Sequence, residues 1–277
     1  MSELMSAHLF RIKRDKTFWG CVAAMLAFSV GVVLNGCRQS EAMLAYGYQT
    51  DLEKYYFILA PAVGLFAGVF SGLFLGTEHS DGAVRGKLIV GHSRRQVYFA
   101  SLLTNILAAL TITAAWLIGG LVGVPVLGLW KMSGIAVAIN ILVAVGSAVA
   151  IAAMFTLLGM PVTKKSNGVV AAILLFLGLL LTASWVYNAL MEPEMTAGFI
   201  MTVDGVQTAE LTPNPNYVSG VMRKVLELIL DILPTGQEAL LCNGGIVRPL
   251  LNLVASGAIA VFTTLAGMAV FERKDLK

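Results

Sequence analysis

The chain has 277 residues, of which 57% are hydrophobic and only 13% are charged, whereas ordinary globular domains carry about 25% charged residues. A mean hydropathy of +0.81 excludes a water-soluble globular protein, and a net charge of only +3 gives no reason to expect a nucleic-acid partner. The composition therefore predicts an all-α polytopic membrane protein, in which the positions of the few charges are informative.

The first element is an N-terminal amphipathic segment, residues 1–16. Met5, Leu9 and Ile12 recur at helical spacing, and most of the remaining surface is basic: Arg11, Lys13, Arg14 and Lys16. Such a segment is typical of a helix that lies in the membrane interface and contacts anionic lipid. We therefore expect an interfacial helix that leads into the first span.

Six apolar runs follow, each long enough to cross a bilayer, which requires about 20 mostly apolar residues. They cover residues 17–36, 55–77, 97–124, 132–158, 167–188 and 250–271. Within these bounds there is no Asp, Glu, Lys, Arg or His. Ion-coupled carriers usually place such groups inside the membrane, so the sequence disfavours that class. The uncharged polar residues of the runs are expected to form hydrogen bonds between helices: Thr104, Asn105, Thr111, Thr113, Asn140, Ser147, Asn252 and Ser256.

The second run contains glycines four residues apart, which places them on one helix face: Gly64, Gly68, Gly72 and Gly76. Small residues at this spacing allow close packing of helices, either within the subunit or at a dimer seam. An aromatic series accompanies them at Phe66, Phe70 and Phe74. Aromatic side chains at this spacing usually face lipid or the protein core, and the alternative is that they line an apolar substrate path.

The loop of residues 78–96 contains "GAVRGKL", which superficially resembles a phosphate-binding loop. That motif requires Ser or Thr after Gly-Lys and a glycine five positions before the second glycine. Leu88 and Asp81 stand at those positions, so nucleotide binding here is not expected. The mixture of charged and apolar residues instead suits a short amphipathic helix, acting either as an interfacial linker or as a docking element for a cytoplasmic protein.

Residues 189–249 form a segment too long for a simple connection. Asp204-Gly205 lies between alternating apolar positions and predicts a β-hairpin, and the sequence after Tyr217 predicts an amphipathic helix that ends at Pro234 and Gly236. The segment could cap the spans, or it could form an outer gate or recognition element.

Charge placement predicts the orientation. Thirteen of the 19 basic residues lie on one set of loop ends, and Lys and Arg favour the cytoplasmic side. Both termini and the 78–96 loop are therefore expected in the cytoplasm and residues 189–249 outside. The three cysteines and three histidines show no metal-ligand spacing, so no metal site is expected, and a disulfide between Cys37 and Cys242 is left open.

The order of these elements resembles a known family. A leading amphipathic helix, six spans, both ends inside, and a loop with Glu78, Gly82, Arg85, Leu88, Gly91 and Ser93-Arg94 are similar to the permease subunits of type-2 ABC exporters, whose architecture is shared with the G-subfamily half-transporters. The closing "GMAVFERKDLK" is similar to the usual end of these permeases.

This resemblance implies a single transmembrane domain over residues 1–277 in a bacterial plasma membrane, without enzymatic residues of its own. Two separate ATPase subunits would bind ATP and Mg²⁺, and a second permease copy or a homologous permease would complete the complex. The 78–96 loop would form a coupling helix that contacts the ATPase through Glu78, Arg85, Lys87, Arg94 and Arg95. Phe66, Phe70, Phe74, Phe176 and Trp185 would line the substrate path. The rival hypothesis is a membrane-embedded sensor or immunity protein that binds a peptide or lipid without transport.

Overall fold

A computed structural model describes residues 2–44, 46, 52–121, 132–162, 164–202 and 205–274. In these ranges the elements, in chain order, are α1 (Ser2–Arg14), α2 (Lys16–Leu44), α3 (Leu52–Phe57), α4 (Ala60–Ser80), α5 (Ala83–Ile89), α6 (Arg94–Leu121), α7 (Gly134–Gly159), α8 (Lys165–Met191), β1 (Met195–Thr202), β2 (Gly205–Pro213), α9 (Gly220–Ile232), α10 (Pro234–Cys242) and α11 (Pro249–Arg273).

Within the described ranges, six helical segments are long and apolar enough to cross a membrane, which confirms the predicted polytopic helical architecture. They are Lys16–Ser40, Glu53–Ser80, Arg94–Leu121, Gly134–Gly159, Lys165–Met191 and Pro249–Arg273. The second segment extends beyond the predicted bounds of 55–77 at both ends, so it includes Glu53 and Glu78. The last residues of the predicted third span, 122–124, lie outside the described residues.

The bundle has two distinguishable ends. Helices α1 and α5 lie with the end of α11 beside the start of α6, where Arg94 donates to the Phe271 carbonyl; we call this the terminal end. The β-hairpin, α9 and α10 follow the other end of α8, which we call the hairpin end.

Helix α1 is separated from the first span by Asp15. Its carboxylate Oδ1 accepts hydrogen bonds from the backbone N–H groups of Thr17 (2.7 Å) and Phe18 (3.1 Å), so that it caps the start of α2. The buried face of α1 is Leu4, His8 and Ile12. It is rotated by one position from the predicted series at Met5 and Leu9, because α1 packs on α6 rather than presenting all its apolar residues to lipid.

The four-residue glycine series of α4 serves contacts within the chain. A Cβ atom at Gly72 would lie 2.7 Å from the Cα of Val169, and one at Gly76 would lie 2.6 Å from the Cα of Lys165. Gly68 faces the ring of Phe155 on α7, and Gly64 faces the ring of Phe176 on α8. The glycines therefore allow the backbones of α4 and α8 to approach closely, which supports packing within the subunit over a dimer seam.

The segment after α8 begins with the predicted hairpin. Strands β1 and β2 pair antiparallel, with Thr202 opposite Gly205 and an irregularity between Ala197 and Phe199. Its predicted turn residue Asp204 lies outside the described residues. This two-stranded sheet is an exception to the all-α expectation.

The predicted amphipathic helix is present as α9, which buries Leu226, Leu230 and Asp231 and exposes most of its other residues. A second short helix that was not predicted, α10, follows it and packs among the spans. Helix α9 ends at Ile232, and α10 starts at Pro234, which suits the first turn of a helix. Gly236, predicted to end the first helix, lies inside α10 and against the backbone of Leu230. Helix α10 contacts α4, α7 and α8. We call α9 and α10 the re-entrant pair.

Candidate functional site

The connection between α4 and α6 contains α5, a helix of seven residues at the terminal end. It is bounded by Gly82 (φ 70°) and Gly91 (φ 100°), two positions in the left-handed region that glycine adopts without strain. Val84 is buried and attaches α5 to the bundle, whereas Arg85, Ile89 and Val90 are exposed. Ile89 is 84% exposed. These three residues form what we call the α5 tip.

A buried carboxylate fixes α5 to the helices beside it. Glu78, at the end of α4, accepts hydrogen bonds through Oε1 from the Lys87 ammonium at 2.7 Å and from the Arg11 guanidinium at 3.2 Å. Lys87 also donates to His8 Nε2 at 2.6 Å. We call Glu78, Lys87, Arg11 and His8 the Glu78 cluster. It joins α1, α4 and α5 through one carboxylate oxygen.

The hydrogen bonds of His8 define its protonation state. Thr104 donates its hydroxyl hydrogen to the Ala100 carbonyl, so its oxygen accepts a hydrogen bond from His8 Nδ1 at 2.8 Å. The other ring nitrogen, Nε2, then accepts from Lys87, which requires a neutral imidazole. Burial lowers the pKa of His8 to about 4; the negative charge of Glu78 raises the pKa, whereas the positive charges of Lys87 and Arg11 lower it further. His8 is therefore a neutral bridge between α6 and α5.

The other two arginines of the loop contact the end of α11. Arg94 donates to the backbone carbonyls of Phe271 (3.0 Å), Glu272 (2.9 Å) and Lys274, and so adds a donor at a helix C-terminus, where the last carbonyls have no N–H partner one turn further on. Arg95 forms an ion pair with the Glu272 side chain.

The structure thus divides the five residues predicted to contact an ATPase. Glu78 and Lys87 lie in the Glu78 cluster, Arg94 and Arg95 lie on the end of α11, and Arg85 lies on the exposed tip. Sequence reasoning missed His8, Arg11 and Glu272 as their partners. No sequence spacing indicated these partners, because Arg11 and Glu78 lie 67 residues apart and Arg95 and Glu272 lie 177 apart.

The five residues predicted to line a substrate path also fall into different environments. Phe70, Phe74 and Phe176 are buried in the main core, and Phe70 stacks on Phe74 with 5.3 Å between ring centroids. Phe66 is partly buried against that core. Trp185 lies on the exposed face of α8. The structure therefore does not bring these five side chains together on one surface.

At the hairpin end, the re-entrant pair is fixed by a buried polar network. The Asn252 side chain of α11 donates to the Asp231 carbonyl at 2.9 Å, and Gln237 donates to the carbonyls of Asp231 and Asn252, both at 3.0 Å. Ser256 donates to Gln237 Oε1 at 2.9 Å, and Arg248 pairs with the Asp231 carboxylate at 2.9 Å. The predicted interhelical role of Asn252 and Ser256 is thus realised toward α9 and α10.

The re-entrant pair also brings a carboxylic acid among the spans. Glu238 of α10 is buried, its Oε2 atom has no hydrogen-bond partner among the described residues, and burial raises its pKa well above the usual range. The six apolar runs themselves contain no titratable residue within their predicted bounds. Glu238 reaches the interior of the bundle from α10, which lies outside those runs.

A cavity of about 540 Å³ lies beside this helix. Its lining comes from the start of the second and fourth spans, the end of α8, and the end of α10: Glu53, Lys54, Phe57, Met132, Tyr187, Leu241, Asn243 and Gly244. Its size falls within the range of ligand sites.

Two further observations concern the cysteines and the residues that could bind a metal. No disulfide joins Cys37 and Cys242, and within the described ranges no group of His, Cys, Asp and Glu residues could hold a metal ion.

No protein-family model matches the chain, and no curated protein matches it.

Proposed function

We propose that this chain is the transmembrane permease subunit of an ATP-driven ABC exporter. The observation that carries the proposal is the α5 tip: Arg85, Ile89 and Val90 project from a short helix between the second and third spans, while the Glu78 cluster ties that helix to the bundle. An exposed apolar pair beside a basic residue suits contact with another protein. Attachment through these partly buried ion pairs would transmit movement of α5 to α1 and α4.

In this proposal the terminal end faces the cytoplasm of a bacterium, and a separate ATPase subunit, present in two copies, binds ATP and Mg²⁺. Closure of the ATPases would move α5, and the spans would change between inward-facing and outward-facing arrangements. Arg94 and Arg95 would couple the start of the third span to the end of the sixth, rather than touch the ATPase.

A second permease, identical or homologous, would cover the exposed face of α8. Thr182, Ser184 and Asn188 are exposed there together with Trp185. Polar side chains within a spanning helix favour protein contacts over lipid. This face supports an assembly of two permeases, in which Trp185 would lie between the subunits.

Co-purification tests the proposal. The tagged chain, extracted in mild detergent from its native host, is expected to retain a subunit with a complete phosphate loop, identified by mass spectrometry, and the complex is expected to hydrolyse ATP. The variant Ile89→Asp should lose this subunit. Val247→Asp is the matched control, because Val247 is 81% exposed but lies at the hairpin end.

Retention of the ATPase by Ile89→Asp would contradict the role of α5. Uphill transport by the purified chain alone would contradict the proposed function as a whole.

One observation favours a second candidate, an ion-coupled carrier. Glu238 is a buried acid with an oxygen that has no hydrogen-bond partner among the described residues, and it belongs to α10, whose Leu241 lines the cavity. Intramembrane acids often bind protons or ions in carriers. Transport that stops with an ionophore, continues after ATP depletion and is lost in Glu238→Gln would select this candidate.

A further inference from the structure

The cavity at the hairpin end contains a carboxylate oxygen that requires a partner. Glu53 is buried; its Oε1 atom accepts a hydrogen bond from the Met132 backbone N–H at 2.6 Å, and its Oε2 atom has no partner among the described residues. A buried carboxylate oxygen without a donor is strongly disfavoured. Since Glu53 lines the cavity, a ligand that carries an N–H or O–H donor would complete its hydrogen bonding.

The neighbouring residue adds the opposite charge. Lys54 lines the same cavity and is exposed, so its ammonium is available to an anion at the opening. A simple cation would pair with Glu53 but would be repelled by Lys54, whereas a simple anion would pair with Lys54 but would be repelled by Glu53. A zwitterion satisfies both, because its ammonium pairs with Glu53 and its anionic group pairs with Lys54.

Part of the wall is apolar. Phe57, Leu241 and Met132 line the cavity, and Tyr187 adds an aromatic ring. Phe57 and Leu241 belong to the main hydrophobic core, so this wall is a fixed surface that suits an alkyl chain. A ligand with both a zwitterionic group and an apolar part matches the charged pair and the apolar side chains among the described lining residues.

We propose that the cavity between α3, α7, α8 and α10 binds an amphiphile with a primary ammonium next to a phosphate or carboxylate. The ammonium donates a hydrogen bond to Glu53 Oε2, the anionic group pairs with Lys54, and the apolar part contacts Phe57 and Leu241. The inference does not depend on an ATPase partner. The same chemistry occurs in an ethanolamine phospholipid and in a soluble zwitterion, which the experiment distinguishes.

Two lipids that differ only in the ammonium provide the test. Dihexanoyl phosphatidylethanolamine has a primary ammonium, whereas dihexanoyl phosphatidylcholine has a quaternary one that cannot donate. Native mass spectrometry of the purified full chain would measure saturable binding of each as separate adducts. We expect one bound ethanolamine lipid, with an affinity at least about tenfold above that of the choline lipid, the difference typical of a charged hydrogen bond.

Variants separate the two contacts. Glu53→Gln retains an oxygen for the Met132 N–H, and it should reduce the preference for ethanolamine to within about twofold. Lys54→Gln, on the exposed side, should weaken both lipids by a similar factor. Displacement of the lipid by free O-phosphoethanolamine would identify a soluble zwitterion as a competent ligand, and its failure to displace would identify the acyl chains as necessary.

Equal binding of the two lipids to the unmodified chain would overturn the proposal, and so would an unchanged preference in Glu53→Gln. The first of these outcomes needs no variant, so the test stands even if Glu53→Gln folds poorly.

Discussion

Neutralising Glu78 should loosen α5 from the bundle. Among the described residues, Glu78 provides the carboxylate that pairs with both Lys87 and Arg11. The substitution Glu78→Gln keeps the size of the side chain and leaves these two cations without a counter-charge.

The cost follows from how deeply each partner is buried. Removing one member of a buried ion pair costs about 3–5 kcal/mol, whereas an exposed pair is worth at most about 1 kcal/mol. The side chain of Glu78 is 2% exposed, that of Lys87 is 16% exposed, and that of Arg11 is 30% exposed. The cluster lies between the two limits, so Glu78→Gln should lower the free energy of unfolding by about 2–3 kcal/mol.

A double-mutant cycle isolates the contact. Lys87→Met alone should cost about 1–2 kcal/mol, since Glu78 keeps Arg11 but His8 Nε2 loses its donor. The double variant should cost at least about 1 kcal/mol less than the sum of the single variants. Equilibrium unfolding in mixed micelles gives these values, and hydrogen exchange should show increased opening of α5. Asp81→Asn is the control, because Asp81 is exposed and its change should stay within about 0.5 kcal/mol. Additivity of the two single variants within about 0.5 kcal/mol would refute the role of this ion pair.

Three further predictions concern separate parts of the chain. Folding lowers the pKa of His8 from 6.5 to about 4, so the unfolded chain binds a proton first as the pH falls, and the free energy of unfolding should decrease between pH 6.5 and 4 by up to about 3 kcal/mol. Equilibrium unfolding measured across this range should depend less on pH in the variant His8→Asn. An identical pH dependence in the variant would contradict the assignment. Gly72→Ala should destabilise by about 1–3 kcal/mol because its Cβ would meet the Val169 backbone, whereas Gly178→Ala, which meets nothing within 4 Å, should be neutral or slightly stabilising in the same unfolding assay. Arg94→Met removes the hydrogen bonds to the carbonyls at the end of α11, so this end should become more sensitive to limited proteolysis. Arg95→Met should have little effect on cleavage, because the ion pair with Glu272 is exposed. Equal cleavage of the two variants would contradict this difference.

The spans could be predicted from sequence because their signal is local. A run of about 20 apolar residues is sufficient to indicate a crossing helix, and the four-residue spacing of the glycines is sufficient to indicate close packing. The spacing does not indicate which helix packs against the glycines, because Val169, the residue that faces Gly72, lies three spans later in the chain.

The candidate sites were harder to predict because their contacts are distant in sequence. Glu78 and Arg11 are 67 residues apart, and Arg94 and Phe271 are 177 apart. The buried position of Glu238 depends on α10 packing between spans, although its own sequence is short and mixed in character. Residue type identified the loop of residues 78–96 as important, but only the fold separates its exposed tip from its structural residues.

The re-entrant pair implies an order of assembly. Helix α10 has nine residues, roughly 14 Å of helix, which is too short to cross a bilayer, and Glu238 would be costly in contact with lipid alone. Insertion machinery would therefore release this segment on the same side as the hairpin, and it would enter only after the neighbouring spans had formed a protein-lined recess to receive it. Biogenesis of this protein should accordingly have a late step, in which a topologically complete six-span intermediate still exposes α9 and α10 to protease.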